Sequence, residues 1–193
     1  MSSPVKSVEN RLQNAIETKR KAQKNPLLDN VCFHVAINAL GSRAKVENPS
    51  KTKSVSDILL RDKLHVTHHL TVTPDTPPEK IDEFINKPRE IIARNGFTQP
   101  KKITGVLVLI NQPYPEVSHA VAILPAKDFS SHEIHQTGAC GVLVDVGIPG
   151  DDIYQFVRPE HLTTYFRQEI NDGAEINLWG VGIRQTPKEI KKH

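Results

Sequence analysis

Cysteine and aromatic residues are scarce in this chain of 193 residues. Its two cysteines, Cys32 and Cys140, are too few for a disulfide-stabilised scaffold, so a reducing compartment is the simpler expectation. Aromatic side chains make up 5% of the residues, which leaves few rings for stacking on single-stranded nucleic acid. Because the sequence also contains no recognised nucleic-acid-binding motif, we expect no nucleic-acid partner.

The sequence also lacks a long hydrophobic run and a strong net charge. No stretch approaches the roughly 18 apolar residues of a transmembrane helix, so we expect no membrane span. The net charge is +3, and lysines that gather towards the two ends are interpreted as solvated: Lys19, Lys21, Lys24, Lys188, Lys191 and Lys192. Residues 1–6 are polar and not typical of a secretory signal peptide, which predicts synthesis in the cytoplasm and leaves signal-less export open.

Length and a hydrophobic content of 37% are typical of a single domain with its own core, with residues 1–28 as a helical extension and 185–193 as a flexible basic tail. Helical patterns cover residues 5–24, 29–41, 76–96 and 159–173. Strand patterns cover residues 64–73, 103–110, 117–124, 141–146 and 174–183. Thr76 and Glu79 have the spacing of a capping box, and Pro88 predicts a break in that helix. The order predicts an α+β fold with a mostly antiparallel sheet.

Residues 29–41 predict a short helix with Cys32 in its first turn. Asp29 or Asn30 can cap its start, and Gly41 can end it in a left-handed turn. A thiol in this position lies at the positive end of the helix dipole, which lowers its pKa and favours the nucleophilic thiolate. A thiolate nucleophile also needs a base, and the base needs an orienting group.

Two later strands can supply these groups. His119 lies in one strand, and Asp145 lies in another that is otherwise apolar, where a carboxylate is costly without a partner. If the strands pair antiparallel with Leu124 opposite Cys140, then His119 lies opposite Asp145, with Cβ atoms about 5 Å apart. On this assumed register the sequence predicts a Cys32–His119–Asp145 triad, in which the carboxylate holds the imidazole tautomer.

An acyl-transfer site of this kind also needs donors for the developing oxyanion. The backbone N–H of Cys32 is one candidate, and the side-chain amide of Asn30, or of Gln112 in its place, is the second. No cofactor is implied by these residues.

Three histidines on one predicted strand raise the alternative of a metal site. His65 and His69 would lie about 13 Å apart along an extended strand, and His68 would face the other way. They cannot share one ion, so we interpret them as ordinary strand residues and predict no metal site.

Each candidate residue also has a plainer interpretation. Cys32 alone is typical of a small buried side chain, His119 of a core histidine with a satisfied hydrogen bond, and Asp145 of a turn cap. We expect Cys140 to pack in the core. We expect the same of Trp179, with a place in a cleft wall as its alternative.

A cysteine at a helix start, followed by histidine and aspartate on successive strands, resembles the papain-like fold over about residues 29–150. The similarity is greatest to compact bacterial papain-fold effectors and toxins, which are cysteine proteases and glutamine deamidases. Ser118 and His119, followed by five apolar residues, resemble their histidine strand. Their aspartate strand often reads Asp-x-Gln-x-Gly, whereas here Asp145 is followed by Val146 and Gly147, and the glutamine is missing.

The resemblance implies N-terminal helices, one bearing the cysteine, packed on the sheet. It further implies a thiol-dependent hydrolase that acts on an amide or isopeptide bond of a protein substrate, such as a host protein or a ubiquitin-like modifier. Peptide cleavage, ubiquitin-linkage cleavage, glutamine deamidation and transfer to an amine share this chemistry. As an effector or toxin, the protein would reach a host cell by a signal-peptide-independent route. The alternative is a non-catalytic protein-interaction module on the same fold, with an unreactive Cys32.

Overall fold

The computed structural model describes residues 7–25, 27–28, 31–45, 59–60, 62–113, 118–149 and 152–185. Six α-helices have their bounds within these residues: α1 (Val8–Gln23), α2 (Val31–Ala39), α3 (Pro78–Asn86), α4 (Pro88–Arg94), α5 (His132–Gln136) and α6 (Pro159–Asn171). The strands are β1 (Leu64–Val72), β2 (Lys102–Asn111), β3 (Ser118–Pro125), β4 (Gly141–Val144), β5 (Tyr154–Val157) and β6 (Glu175–Ile183). In this described part of the chain, no helix is both long enough and apolar enough to cross a membrane.

The strands form one sheet in the order β1-β6-β2-β3-β4-β5, and every neighbouring pair is antiparallel. The predicted α+β class with a mostly antiparallel sheet is therefore confirmed. The sequence did not predict β5 or α5, which are four and five residues long. Along β5 only Val157 is buried, so the strand carries no alternating hydrophobic pattern.

Side chains of the central strands alternate between two cores. On β3, Ala120, Ala122 and Leu124 pack with α1 and α2, and we call this cluster the α1–α2 core. Val121 and Ile123 face the other way and pack with α3 and α6 in the α3–α6 core. The fold therefore has three layers, with helices on both faces of the sheet. Because α1 supplies buried side chains to the α1–α2 core, it is an integral part of the domain.

The cysteine-bearing helix α2 lies against β3 and ends as the sequence predicts. Gly41 has a φ of +108°, which is the left-handed region that favours glycine. Its N–H donates to the carbonyl of Asn38 at 3.1 Å, and the N–H of Ser42 donates to that of Ile37 at 2.9 Å. These two bonds form a Schellman motif, which satisfies the last carbonyls of the helix. The predicted N-terminal caps, Asp29 and Asn30, lie outside the described residues.

The start of α3 corrects the predicted capping box. The N-cap is Pro77, which makes no side-chain capping bond, and Pro78 is the first helical residue. The hydroxyl oxygen of Thr76 instead accepts a hydrogen bond from the backbone N–H of Thr73 at 2.9 Å, in the turn that follows β1. Because the helix starts at the two prolines and not at Thr76, the Thr76 hydroxyl stabilises the turn after β1 instead of capping α3. The predicted break at Pro88 is present, because α3 ends before it and α4 begins at it.

The pairing of β3 with β4 differs from the assumed register by two residues. Leu124 lies opposite Val142 rather than Cys140. Cys140 precedes β4, and its N–H donates to the carbonyl of Val157 at 2.9 Å while its own carbonyl accepts from Ala126 at 3.1 Å. Because side chains repeat every two residues along a strand, a shift of two keeps each one on its expected face.

Candidate active site

His119 and Asp145 form a direct side-chain contact, although they are not paired residues of the sheet. His119 is the second residue of β3, and Asp145 directly follows β4. Extending the observed register would place Asp145 opposite Val121, so His119 is its diagonal neighbour, still within reach of a long side chain. The His119 Nε2 and Asp145 Oδ1 atoms are 2.9 Å apart, and the side chains are 31% and 17% exposed. The pair is therefore largely shielded from water.

The carboxylate of Asp145 is fixed by its own loop. The same Oδ1 atom accepts a hydrogen bond from the N–H of Gly147 at 2.8 Å, and the N–H of Asp145 donates to the carbonyl of Ile153 at 2.8 Å. Burial raises the pKa of Asp145, but the hydrogen bonds from His119 and Gly147 outweigh it and hold this pKa below its usual range. The carboxylate is therefore ionised and aimed at the imidazole.

Cys32 lies within hydrogen-bonding reach of His119. It is the second residue of α2, is half-buried, and forms a side-chain hydrogen bond with His119. Because Nε2 of His119 is bound to Asp145, Nδ1 is the nitrogen left for the sulfur. The structure thus brings Cys32, His119 and Asp145 together in one chain of hydrogen bonds.

The electrostatics of this chain favour a charged pair. Burial raises the pKa of the Cys32 thiol, but hydrogen bonds from His119 and from the backbone N–H of Ala120 outweigh it, so the pKa lies below its ordinary value. The hydrogen bonds to Asp145 and then to Cys32 raise the pKa of His119 to about 10, against the opposing effect of burial. Both shifts favour a thiolate beside an imidazolium over the neutral pair.

The second cysteine has the opposite environment. Cys140 is buried, its Sγ donates to the carbonyl of Val157 at 3.4 Å, and burial raises its pKa to about 12. It packs in the α3–α6 core, as the sequence predicts. A buried thiol with a raised pKa is a poor nucleophile, so the two cysteines differ sharply in expected reactivity.

Of the two predicted amide donors for an oxyanion, the structure describes only Gln112, and its amide is bonded elsewhere. Asn30 lies outside the described residues. The Nε2 of Gln112 donates to Oε2 of Glu169 at 2.8 Å, and a carboxylate beside this amide would repel a developing negative charge. Cys32 itself remains suited to the role, because the first N–H groups of a helix have no acceptor within it.

Lys19 contradicts its interpretation as a solvated terminal lysine. It is 5% exposed, and its Nζ donates to the carbonyls of Ile148 and Asp152, each at 2.8 Å. Both carbonyls belong to the loop that begins with Asp145. The sequence held a signal for this burial, because Lys19 lies one helical turn after Ala15 on the buried face of α1.

The histidines of β1 have separate partners, and Trp179 belongs to the same surroundings. His65 Nδ1 lies 3.2 Å from the carbonyl oxygen of Gly182, and His68 Nε2 lies 3.1 Å from that of Phe84. His69 stacks on Trp179, with ring centroids 3.8 Å apart. Trp179 is only partly buried and packs at the margin of the α1–α2 core. Within the described ranges, no three His, Cys, Asp or Glu side chains are grouped so that they could hold a metal ion.

Comparison with known proteins identifies no relative. No protein-family model matches the chain, and no curated protein or solved structure shows significant similarity to it.

Proposed function

We propose that the protein is a papain-like thiol hydrolase that acts on an amide or isopeptide bond of a protein substrate. The observation that carries this proposal is the hydrogen-bonded chain from Cys32 through His119 to Asp145. An activated thiolate is expected to have this arrangement: the cysteine is hydrogen-bonded to a histidine, and the other nitrogen of that histidine contacts a carboxylate. The order of these residues, on a helix, on a strand and directly after the next strand, supports the papain-like assignment.

The first half of the reaction forms an acyl-enzyme. The Cys32 thiolate attacks the carbonyl carbon of the substrate, and the C–S bond forms as the carbonyl π electrons move to oxygen. The N–H of Cys32, at the positive end of α2, would stabilise this oxyanion. The His119 imidazolium then gives its proton to the leaving nitrogen, the C–N bond breaks, and a thioester remains on Cys32.

The second half of the reaction restores the enzyme. His119, now neutral, takes a proton from water, and the resulting hydroxide-like oxygen attacks the thioester carbonyl. The C–S bond breaks, a carboxylic acid is released, and the thiolate returns beside the imidazolium. Asp145 holds the imidazole so that Nδ1 faces the reaction throughout. These steps use only the three side chains, the backbone N–H and water.

Three outcomes share this chemistry and differ in the leaving group. Peptide cleavage releases an α-amine, cleavage of a ubiquitin-like linkage releases a lysine side chain, and deamidation of glutamine releases ammonia. Transfer of the acyl group to an amine in place of water is a fourth. The proposed role as a bacterial effector acting on a host protein has its support in the sequence resemblance.

The proposal is tested with purified protein, a Cys32→Ser variant and a Cys140→Ser variant as matched thiol controls. Each is incubated with fluorogenic peptide amides, ubiquitin dimers and glutamine-rich proteins, and mass spectrometry follows cleavage, deamidation and acyl adducts. We expect one of these reactions to depend on Cys32 and to survive the loss of Cys140.

The competing function is a non-catalytic interaction module on the same fold. It predicts no turnover and no adduct on any substrate, together with a Cys32 whose titration does not depend on His119. That combined result would overturn the hydrolase proposal.

A further inference from the structure

The buried ammonium group of Lys19 connects the first helix to the loop that carries Asp145. Two of its contacts, the carbonyls of Ile148 and Asp152, lie three and seven residues after Asp145. A lysine side chain is rarely buried, because removing its charge from water is expensive unless the ammonium is well hydrogen-bonded. At 5% exposure, Lys19 meets this condition through the loop.

The loop itself holds the carboxylate through the N–H of Gly147, which donates to Asp145 Oδ1 at 2.8 Å. It begins at the end of β4, and within its described residues the backbone bonds run from Asp145 to Ile153 at 2.8 Å and from Ile148 to Asp145 at 3.3 Å. Lys19 adds two bonds to carbonyls on either side of the loop's middle. These two bonds therefore join α1 to the loop that follows β4.

We propose that Lys19 is a positioning residue of the thiol site, acting through the loop that follows β4 to hold the Asp145 carboxylate against His119. This inference rests on the proposed function for its catalytic meaning. Lys19 acts through Asp145 and not on the substrate.

Displacing the Asp145 carboxylate and removing the Lys19 charge would shift the pKa of His119 in opposite directions. Lys19 lowers the pKa of Asp145 by its charge, after the larger effects of burial and hydrogen bonding. Removing a nearby cation can only favour a second cation, so a pure charge effect would raise the pKa of His119. If the Asp145 carboxylate moved away from His119, the pKa of His119 would fall, because the hydrogen bond to Asp145 is the largest cause of the raised value.

The other charged groups around this pair are few among the described residues. Cys32 faces His119 from α2, and its hydrogen bond also raises the histidine pKa. Tyr165 faces Asp145 from α6. Its pKa is raised to about 12, mainly by burial and further by the charges of Glu169 and Asp145. Because Tyr165 stays neutral through most of the accessible range, a change in the His119 titration reports mainly on Asp145 and Cys32.

The experiment is an NMR titration of His119 in the full chain, with the resonance assigned by its loss in His119→Ala. Lys19→Met removes the ammonium and keeps the aliphatic stem, and Lys21→Met is the matched control on an exposed position of the same helix. Lys19→Gln is a milder variant that keeps a neutral donor within reach of one carbonyl. Thermal unfolding of each variant shows how much of it is folded.

We expect the pKa of His119 to fall by about one pH unit in Lys19→Met, by less in Lys19→Gln, and not at all in Lys21→Met. If Lys19→Met fails to fold, Lys19→Gln alone decides. A titration that is unchanged or moves upward in a folded Lys19 variant would overturn the proposal.

A parallel assay separates this inference from the proposed function. Alkylation of Cys32 below neutral pH should slow in Lys19→Met by up to about tenfold, since one pH unit in the His119 pKa is a tenfold change in the thiolate–imidazolium equilibrium. If wild-type alkylation does not depend on His119, the hydrolase proposal fails. The NMR titration would still decide whether Lys19 positions Asp145.

Discussion

Replacing Asp145 with asparagine removes the charge beside His119 and nearly preserves the shape of the side chain. For charge centres about 4 Å apart and an effective dielectric constant of about 20, Coulomb's law gives about 4 kcal/mol. This corresponds to an upper limit of about three pH units, at about 1.4 kcal/mol per unit. The His119 side chain is 31% exposed, so water screens part of the interaction, and we expect a fall of about one to two units. The pKa of His119, about 10 in the native protein, should drop accordingly.

The consequence for Cys32 follows from the same pair. A less basic His119 is a weaker partner for the thiolate, so the pKa of Cys32 should rise in Asp145→Asn. The assay is the ultraviolet absorbance of the thiolate as a function of pH, with the Cys32→Ser version of each protein subtracted. An unchanged Cys32 titration in a folded Asp145→Asn variant would refute the reasoning, because Asp145 would then play no part in activating the thiol.

Three further predictions concern stability. In a Cys32→Ser background, the raised pKa of His119 makes the protonated histidine stabilise the folded state. This stabilisation is complete below the ordinary histidine pKa of about 6.5 and is lost as pH rises through the pKa of His119 in the folded state. Urea unfolding at several pH values should show this trend, and His119→Ala should abolish it. Arg11→Met removes the hydrogen bonds that a buried guanidinium donates to two main-chain carbonyls. This change should lower the free energy of unfolding by about 2–4 kcal/mol, and a loss below about 0.5 kcal/mol would contradict the prediction. A Cβ on Gly180 would overlap the buried ring of His68, so Gly180→Ala should lower the melting temperature. Adding His68→Ala to this variant should restore part of the lost stability. Equal melting temperatures for Gly180→Ala and wild type would contradict the overlap.

The elements of the site were predictable because local patterns determine them. Apolar spacing and Gly41 define α2, and continuous apolar runs define β3 and β4, whose successive side chains point to opposite faces of the sheet. The pattern does not define which residues pair, because a shift of two residues leaves it unchanged. His119 and Asp145 could therefore be expected on one face, although the residues opposite them could not be identified.

Contacts that depend on distant parts of the chain could not be predicted. Lys19 binds the carbonyl of Ile148, 129 residues later, and Arg11 binds that of Thr104, 93 residues later. The spacing along α1 places Lys19 on the buried face, but only the assembled fold provides the carbonyls that make the burial of either charge favourable. The same holds for Gln112, whose amide is taken by Glu169 of α6.

The most direct test of an activated Cys32 is the pH dependence of its alkylation by iodoacetamide, measured in a Cys140→Ser background with and without His119→Ala. The account predicts rapid labelling well below the ordinary pKa of a thiol, about 8.5, and a shift of the profile to higher pH when His119 is removed. Slow labelling with an ordinary thiol profile, the same in both proteins, would contradict the thiolate–imidazolium pair and the hydrolase proposal with it.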